Sequence, residues 1–409
     1  MQLHSQLTVE QNGLLHLLKR GILGDNEPLD KDALQDVDWN AVCKEAVQQA
    51  VPVVAFDCAA AYKSQIPKPE YSHWLKISGG TLQANERIVH AQDELVSWLK
   101  QAGYDYLILK GTSAAAYYPS PENRGFGDVD FLVKEDCVKA VGDLLQERGC
   151  RKESVGAHHI AYLRPDGVHL ELHFAVGGIP YGKRGEKVKA YLADILDKSQ
   201  TVTACGVQFV APAPAHQAMV LLLHMLSHML GEGMGLRHVY DWACFVQKTH
   251  DMPFWQERII PLCKDIGLYN YLSTITKTCA IYLGSVLPVW AENADESVCL
   301  EILKDVFTSG NFGSKDFKRA KSAMLISERG KAGLKHGKVY NLCHGLHNYT
   351  KVKHPVCQKC CLLYPIFYTG EIVRYCWLVI RGKRPSPFSM TAEADERKAV
   401  YDKLHIYEE

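Results

Sequence analysis

The chain of 409 residues carries 46 basic and 46 acidic side chains, so its formal net charge is zero. With 47% hydrophobic and 22% charged residues, it has the composition of a globular protein and not of a disordered one. A neutral chain has no overall field that draws it to nucleic acid or anionic lipid. Nucleic acid is therefore not the expected partner, although a local site stays open.

Cysteine usage and targeting signals bear on the compartment. Fourteen cysteines are scattered along the chain, and its start lacks the basic and apolar blocks of a secretory signal. Reduced thiols in a cytoplasmic protein are therefore expected. The apolar stretch 360–380 is interrupted by Pro365, Gly370, Glu371 and Arg374, each costly in a bilayer. The sequence predicts no transmembrane segment and no membrane partner.

Residues 1–100 are predicted to form a helical N-terminal region. Apolar side chains recur there mostly at spacings of three and four residues, for example at Ile88, Ala91, Leu95 and Leu99. This is the period of an amphipathic helix, which turns one apolar face to a core.

Residues 101–210 contain strand-like segments and are predicted to form the core domain. A short strand ends at Lys110-Gly111, a helix begins at Thr112, and a loop leads to a second strand over 128–133. A helix is expected to follow over residues 135–147.

The second half of this core begins with a predicted β-hairpin. Its strands, 158–165 and 168–176, are joined through Pro165-Asp166-Gly167, where Pro sets the first φ of a turn and Gly tolerates positive φ. One further strand is expected over 202–210, and Ala211 marks the expected junction with the next region.

Residues 211–409 are predicted to form a helical C-terminal region, because helical spacing returns from Ala215 to Leu303. Within this region, residues 315–359 hold eleven basic and two acidic side chains. Such a block is usually a solvated face. Its functional alternative is a patch that draws a triphosphate or an anionic acceptor.

Asp128 and Asp130 are the leading candidates for chemistry. Alternation along a strand puts both carboxylates on one face while Val129 and Phe131 face the other. Two adjacent acids repel each other unless a cation neutralises them, and Mg²⁺ prefers carboxylate and phosphate oxygens. The pair suits a two-metal site that holds a triphosphate and an attacking hydroxyl, although two solvated acids on a strand edge would show the same pattern.

The segment Lys110-Gly111-Thr112-Ser113 lies shortly before this pair, where a strand ends in Gly and a helix begins with hydroxyl residues. A turn of this kind offers backbone N–H groups to a phosphate, and the missing Cβ of Gly111 permits close approach. The alternative is an ordinary strand–turn–helix in which Thr112 caps the helix.

A third acid follows in His169-Leu170-Glu171-Leu172-His173. Leu170 and Leu172 alternate into a core, so Glu171 and both histidines project from the opposite face. Glu171 can then bind metal or accept the proton of an attacking hydroxyl. A transition-metal site of His169, Glu171 and His173 is the alternative, but one strand rarely wraps an ion with three consecutive ligands.

Three segments together resemble the nucleotidyltransferase superfamily with the DNA polymerase beta-like fold: KGTSAAAYYP (110–119), RGFGDVDFLV (124–133) and HLELHF (169–174). They are most similar to a poorly characterised bacterial branch with an LKG…R…GDxDxLV…ELH signature. The helical N-terminal layout and the motifs LLHMLSHMLGEGMGLRHVYDWACF and SGNFG also resemble that branch.

The resemblance implies a mixed β-sheet core that transfers a nucleoside monophosphate from an NTP, such as ATP, to an acceptor with release of pyrophosphate. Two Mg²⁺ ions, or Mn²⁺ in their place, are the implied cofactors, with Asp128 and Asp130 as the metal pair and Glu171 as the third carboxylate. Gly111 with Thr112 or Ser113 takes the phosphate-turn role. The sequence does not name the acceptor, which is expected to be a small molecule or a protein.

Two basic residues are candidates for contact with the nucleotide. Arg124 precedes the carboxylates by four residues, and its guanidinium suits bidentate contact with a phosphate, although a surface-loop arginine fits the pattern too. Lys110 can neutralise phosphate charge or form a salt bridge with Asp128.

Two further pairs lie four residues apart on helical patterns, His224 with His228 and Arg237 with Asp241. The Glu of the zinc-protease motif is absent, so helix packing or a role at the acceptor site is favoured for the histidines over metal binding. Arg237 and Asp241 are interpreted as a helix-surface pair, with a substrate contact as the alternative.

A cysteine and histidine cluster offers zinc-type ligands: Cys343, His344, His347, His354, Cys357, Cys360 and Cys361. No second C-x2-C completes the usual four-ligand pattern, so ordinary thiols are favoured.

From these patterns we predict an α+β protein, with a nucleotidyltransferase-type mixed sheet between two helical regions. Two alternatives stay open. One is a non-catalytic NTP-binding and metal-binding regulatory or toxin–antitoxin module, because a fold does not establish a reaction. The other is a zinc-binding structural protein.

Overall fold

The computed structural model describes residues 6–24, 34–315, 343, 346–347, 350, 353–354, 356–381 and 400–407. Most of the basic block predicted over 315–359 lies outside the described residues, as do His344 and the side chain of Cys361. Cys357 is buried and Cys360 is exposed. No cysteine of the described residues joins a cluster of three metal-type ligands.

Four helices precede the sheet: α1 (Val9–Leu23), α2 (Trp39–Gln48), α3 (Pro52–Ala59) and α4 (Lys68–Gln101). Helix α1 begins where Thr8 and Gln11 cap each other, with the Thr8 hydroxyl accepting from the Gln11 N–H at 3.2 Å and the Gln11 side chain accepting from the Thr8 N–H at 3.0 Å. The carboxylate of Asp38 caps α2 by accepting hydrogen bonds from the N–H groups of Asn40 and Ala41. The helices predicted in this part of the chain are present.

Five strands and two helices follow: β1 (Tyr106–Ile108), α5 (Thr112–Ala115), β2 (Val129–Val133), α6 (Val138–Glu147), β3 (Arg151–Val155), β4 (His159–Leu163) and β5 (His169–His173). The strands form one sheet in the order β1-β2-β5-β4-β3. Strands β2 and β5 are parallel, and the other neighbours are antiparallel. The predicted α+β fold with a mixed sheet is confirmed, including the hairpin of β4 and β5, whereas β3 was not predicted.

The single strand predicted over 202–210 is wrong. This segment is a two-stranded hairpin of β6 (Ser199–Ala204) and β7 (Val207–Pro212), preceded by α7 (Gly182–Leu192). Cys205 and Gly206 form the turn, with φ values of 52° and 76°. Positive φ at both central residues is what a type I′ two-residue hairpin turn requires. The apolar run alone did not reveal it, because Cys is an uncommon residue at such a position.

The C-terminal region is helical, as predicted, with α8 (Pro214–Leu230), α9 (Leu236–Thr249), α10 (Ile260–Asp265), α11 (Tyr269–Leu283), α12 (Glu296–Ser309), α13 (Val356–Lys359) and α14 (Tyr364–Ile380). Shorter helical turns are Ala60–Tyr62, Pro121–Asn123, Glu135–Cys137, Trp255–Ile259, Val289–Ala291, Asn311–Gly313 and Cys361–Leu363. Within the described parts of the chain, no helix combines the length and the apolar character needed to cross a bilayer.

Two hydrophobic cores support this arrangement. The larger core joins α1, α2 and α3 to α8, α9, α11 and α12, so the first and last helical regions are packed together. The smaller core lies between the sheet, α4, α6 and β7. Strand β2 reaches both, since Leu132 lies in the larger core and Val129, Phe131 and Val133 lie in the smaller one. Asp130 shares the face of Leu132, which directs its carboxylate toward α8 and α9.

The turn of the β6–β7 hairpin gives a test of the fold. Replacing Cys205→Asn should stabilise the protein by about 0.5–1 kcal/mol, because Asn tolerates positive φ and Asn-Gly is the preferred pair for such a turn. Gly206→Ala should destabilise it, since Ala resists the φ of 76°. Urea unfolding of both variants measures the effect, and a Cys205→Asn midpoint at or below that of the parent protein would contradict it.

Candidate active site

The two leading acids and Glu171 come together because of the strand register. Strands β2 and β5 are parallel, and Asp130 lies directly opposite Glu171. Adjacent strands are about 4.8 Å apart, so these carboxylates are neighbours on one face of the sheet. Asp128 precedes β2 and lines the same cavity as the other two acids. The structure therefore gathers the three predicted carboxylates at one place.

This cavity has a volume of about 690 Å³ and lies between the sheet and helices α8 and α9. The sheet side contributes the three acids with Lys110 and Gly111, and the helical side contributes residues such as His224 and Arg237. The volume falls within the range of about 300–1,000 Å³ that is usual for small-molecule sites. Both the predicted core and the helical C-terminal region thus form its walls.

Asp130 is the most tightly held of the acids. Its Oδ1 accepts from Lys110 Nζ at 2.6 Å and lies 2.9 Å from His173 Nε2. The same His173 nitrogen is 3.2 Å from Glu171 Oε2. Lys110 thus forms its ion pair with Asp130, and not with Asp128, which was one of its two predicted roles. His173, which the sequence offered only as a transition-metal ligand, links the second and third acids.

The charges at this site shift the pKa values of Asp128 and Asp130 in opposite directions. The repulsion of Asp130, followed by burial, raises the pKa of Asp128 to about 6. Burial alone would raise the pKa of Asp130, but Lys110 and His173 outweigh it and hold that pKa below its usual range. Of these two acids, Asp128 is therefore the one whose charge the protein compensates less.

The same acids raise the pKa values of Lys110 and His173. Burial opposes their charged forms, yet the contact with Asp130 raises the pKa of each, and the hydrogen bond to Glu171 adds to that of His173. Both therefore favour the cationic form beside the carboxylates.

The turn after β1 has the backbone expected for close approach. Gly111 has φ of 57° and ψ of −113°, a conformation that disfavours a side chain, and it lines the cavity. The neighbouring hydroxyls point elsewhere. Thr112 Oγ1 donates to Gln92 Oε1 at 2.6 Å, and Ser113 Oγ donates to the Lys110 carbonyl at 3.2 Å. Both side chains are buried, so their contacts fix the turn itself.

Arg124 forms a buried, two-pronged ion pair with Asp241. Its Nε and Nη2 donate to the two oxygens of Asp241, each at 2.8 Å. Only 6% of Arg124 and 3% of Asp241 are exposed. The interpretation of Arg237 and Asp241 as a helix-surface pair is therefore wrong, because Asp241 points inward and binds a loop far away in sequence. Helical spacing alone could not reveal that partner.

The alternative site of His169, Glu171 and His173 is not formed. His169 is 52% exposed and lies 3.3 Å from Glu153, away from the cavity. His158 and His159 take its place beside His173, with nitrogens close enough to share a ligand. His159 Nε2 lies 3.6 Å from Glu171 Oε1. These two histidines come from the start of β4, and the antiparallel pairing of β4 with β5 delivers them.

His224 and His228 on α8 meet His238 on α9 at the opposite wall. The ring centroids are 4.5 to 5.2 Å apart, and burial lowers the pKa of all three, that of His228 to about 3. The Gly235 N–H donates to His238 Nδ1 at 3.3 Å, which leaves the proton of the neutral ring on Nε2. The nitrogens of the three rings lie close enough to share a ligand, so the structure permits a metal here, and packing or acceptor contact stays a prediction.

A family model described as an uncharacterised nucleotidyltransferase matches residues 35–284, which is more than half of the chain. The chain belongs to this family and is an enzyme of the nucleotidyltransferase class. The predicted membership of the nucleotidyltransferase superfamily is thereby confirmed.

Four solved chains also match. One is the crystal structure of an antigenic nucleotidyltransferase-like protein from Paracoccidioides brasiliensis, at 16% identity and a TM-score of 0.30, covering 52% of this chain and 96% of that chain. No curated protein matches the sequence.

The repulsion at Asp128 predicts a stabilising variant. Asp128→Asn should raise the free energy of unfolding of the metal-free protein by about 1–3 kcal/mol near pH 7.5, because it removes a carboxylate whose pKa is raised from 3.8 to about 6. A raised acid pKa destabilises the fold increasingly as pH rises from 3.8 to 6, and fully above 6. The gain should therefore vanish near pH 4. Urea titrations at both pH values measure it, and equal stability at pH 7.5 would contradict it.

The Arg124–Asp241 pair predicts a large loss of stability. Arg124→Ala should lower the free energy of unfolding by about 3–5 kcal/mol, because it leaves a buried carboxylate without its cation. Adding Asp241→Asn to that variant should restore part of the loss. Denaturant unfolding with circular dichroism measures both. A loss below about 1 kcal/mol would show that the pair is dispensable.

Proposed function

We propose that the protein is a Mg²⁺-dependent enzyme that transfers a nucleoside monophosphate from an NTP to an acceptor, with release of pyrophosphate. The observation that carries the proposal is the convergence of Asp128, Asp130 and Glu171 in a cavity that also holds Lys110 and Gly111. Membership of the nucleotidyltransferase family supports the class of reaction.

The donor set suits a hard divalent cation. Asp128, Asp130 and Glu171 offer carboxylate oxygens, and Asp130 and Glu171 have oxygens within 4.8 Å of each other. Lys110 and His173 both contact Oδ1 of Asp130, so these two residues do not engage its other oxygen. We propose that two Mg²⁺ ions, with Mn²⁺ as a substitute, are held by these three acids. When bound, the ions would neutralise the phosphates and lower the pKa of an attacking hydroxyl.

The chain's own residues would position the substrates and move the proton. Gly111 would let the phosphate chain approach the backbone, with Thr112 and Ser113 holding that turn through their buried hydrogen bonds. Lys110 would keep Asp130 oriented and add positive charge. Glu171, the partly exposed acid, would accept the proton of the acceptor hydroxyl.

In this proposal Arg124 does not contact the nucleotide directly. Its guanidinium already binds Asp241, so we propose that it acts on the nucleotide site indirectly, by fixing the loop that leads to Asp128. The proposed acceptor is a small molecule or a protein. The cytoplasm remains the proposed location, because the cysteines of the described residues are free thiols, which a reducing compartment preserves.

Label transfer tests the reaction. With α-labelled ATP, CTP, GTP and UTP, Mg²⁺ or Mn²⁺ and fractions of cell extract as acceptor source, the protein should label an acceptor, and chelation of the metal should stop it. Asp128→Asn and Asp130→Asn should each lower the rate at least about 1,000-fold, because a lost metal ligand removes several kcal/mol of charge stabilisation. Asp143→Asn, an exposed acid on α6, is the matched control. Transfer that is insensitive to Asp128→Asn would overturn the mechanism.

A further inference from the structure

The three cations that line the cavity differ in their partners. Lys110 pairs with Asp130, and Arg124 pairs with Asp241. Arg237 has no carboxylate within ion-pair distance among the described residues. Its Nη1 donates to the Gly125 carbonyl at 3.2 Å, and its Nε is buried without a hydrogen-bond partner.

An unpaired guanidinium in such a place needs an explanation. Arginine keeps its charge in proteins, and a buried charge without a counter-ion is costly unless a ligand supplies one. Burial lowers the pKa of Arg237, and the charge of Arg124 lowers it further, whereas Asp241 and Asp128 act only from a distance. Arg237 therefore lines the cavity as a cation whose donors are only partly used.

The surroundings hold this guanidinium in one place. Phe312 lies over it, with the guanidinium carbon 5.2 Å from the ring centroid. Phe312 itself has φ of 54° and ψ of 36°, a left-handed backbone that is uncommon for a bulky residue. The preceding residue packs closely against the start of α9, because a Cβ on Gly235 would come within 2.7 Å of Asn311. The segment that carries Phe312 is thus locked against the start of α9.

The backbone at this helix start is already occupied. The N–H groups of Leu236 and Arg237 donate to the side chain and the carbonyl of Gln49, at 2.9 and 3.2 Å. An anion in the cavity would therefore meet the Arg237 side chain and not a free helix N-terminus. A guanidinium suits phosphate well, because its parallel N–H groups match two phosphate oxygens.

We propose that Arg237 binds the phosphates of the NTP that leave as pyrophosphate, and that Phe312 positions it for that contact. This inference rests on the proposed function, in which the three carboxylates hold the reacting phosphate and the attacking hydroxyl. Arg237 lies across the cavity from them on α9, beyond ion-pair distance of Asp128. The phosphates next in the chain are the anionic groups that it would reach.

Calorimetric titration in the presence of Mg²⁺ tests this role with pyrophosphate, tripolyphosphate and a non-hydrolysable α,β-methylene NTP. Arg237→Gln should weaken binding of all three by roughly 10- to 100-fold, the effect of losing a charged hydrogen bond. Arg237→Lys should recover part of that affinity, since it keeps the charge but loses the planar fork. Affinity for a nucleoside monophosphate should stay within about two-fold.

Arg258→Gln is the matched control, because Arg258 also lies over an aromatic ring, that of Tyr191 at 4.8 Å, but outside the cavity. It should bind all probes as the parent protein does. Urea unfolding separates binding from folding, because a purely structural Arg237 would lower stability without changing phosphate affinity. That result, or equal affinities in the parent protein and Arg237→Gln, would overturn the proposal.

The outcome also separates this role from the proposed reaction. A parent protein that binds the phosphate probes through Arg237 but transfers no label would overturn the reaction and leave the phosphate site intact. Transfer that needs Asp128 but not Arg237, with phosphate affinity unchanged in Arg237→Gln, would support the reaction and overturn the phosphate site at Arg237. Failure of the parent protein to bind any of the probes would overturn both.

Discussion

The buried ion pair of Arg124 with Asp241 joins the two halves of the molecule at the point where the site is built. Tyr118 also donates to Asp241, at 2.7 Å. From the other side, Asn85 on α4 donates to the Arg124 carbonyl at 2.8 Å and accepts from the Phe126 N–H at 3.0 Å. The loop that leads to Asp128 is therefore anchored both to α9 and to α4. The position of the first carboxylate depends on that double anchor.

The protein's own cations do not fully neutralise the three carboxylates, so the site is arranged to bind a further cation. Lys110 and His173 both act on Asp130, so the second acid is compensated and Asp128 is left with a raised pKa. The carboxylates of such a site repel each other until a cation binds between them. Such repulsion is a common reason why active sites lower the stability of the fold that carries them.

Much of this could be predicted from the sequence, and the failures have a physical cause. Alternation along β2 and β5 was enough to place Asp128, Asp130 and Glu171 opposite the apolar side chains of Val129, Phe131, Leu170 and Leu172, because the period of a strand is local. The partners of Lys110, Arg124 and Arg237 were not predictable. They depend on the packing of α9 against the sheet loops, and helical spacing reports only which residues share a helix face. The hairpin of β4 and β5 was predicted, but its register, which sets His159 opposite His173, was not.

Helix α8 contributes side chains both to the wall of the cavity and to the hydrophobic core. His224, Ser227 and His228 form one strip along the cavity, while Leu222 and Leu226 on the same helix are buried in the core shared by the first and last helical regions. Substitutions along the strip would leave that core intact. Changes along this narrow strip would therefore alter one wall of the cavity, while the carboxylates across it and the packing of the core stay as they are.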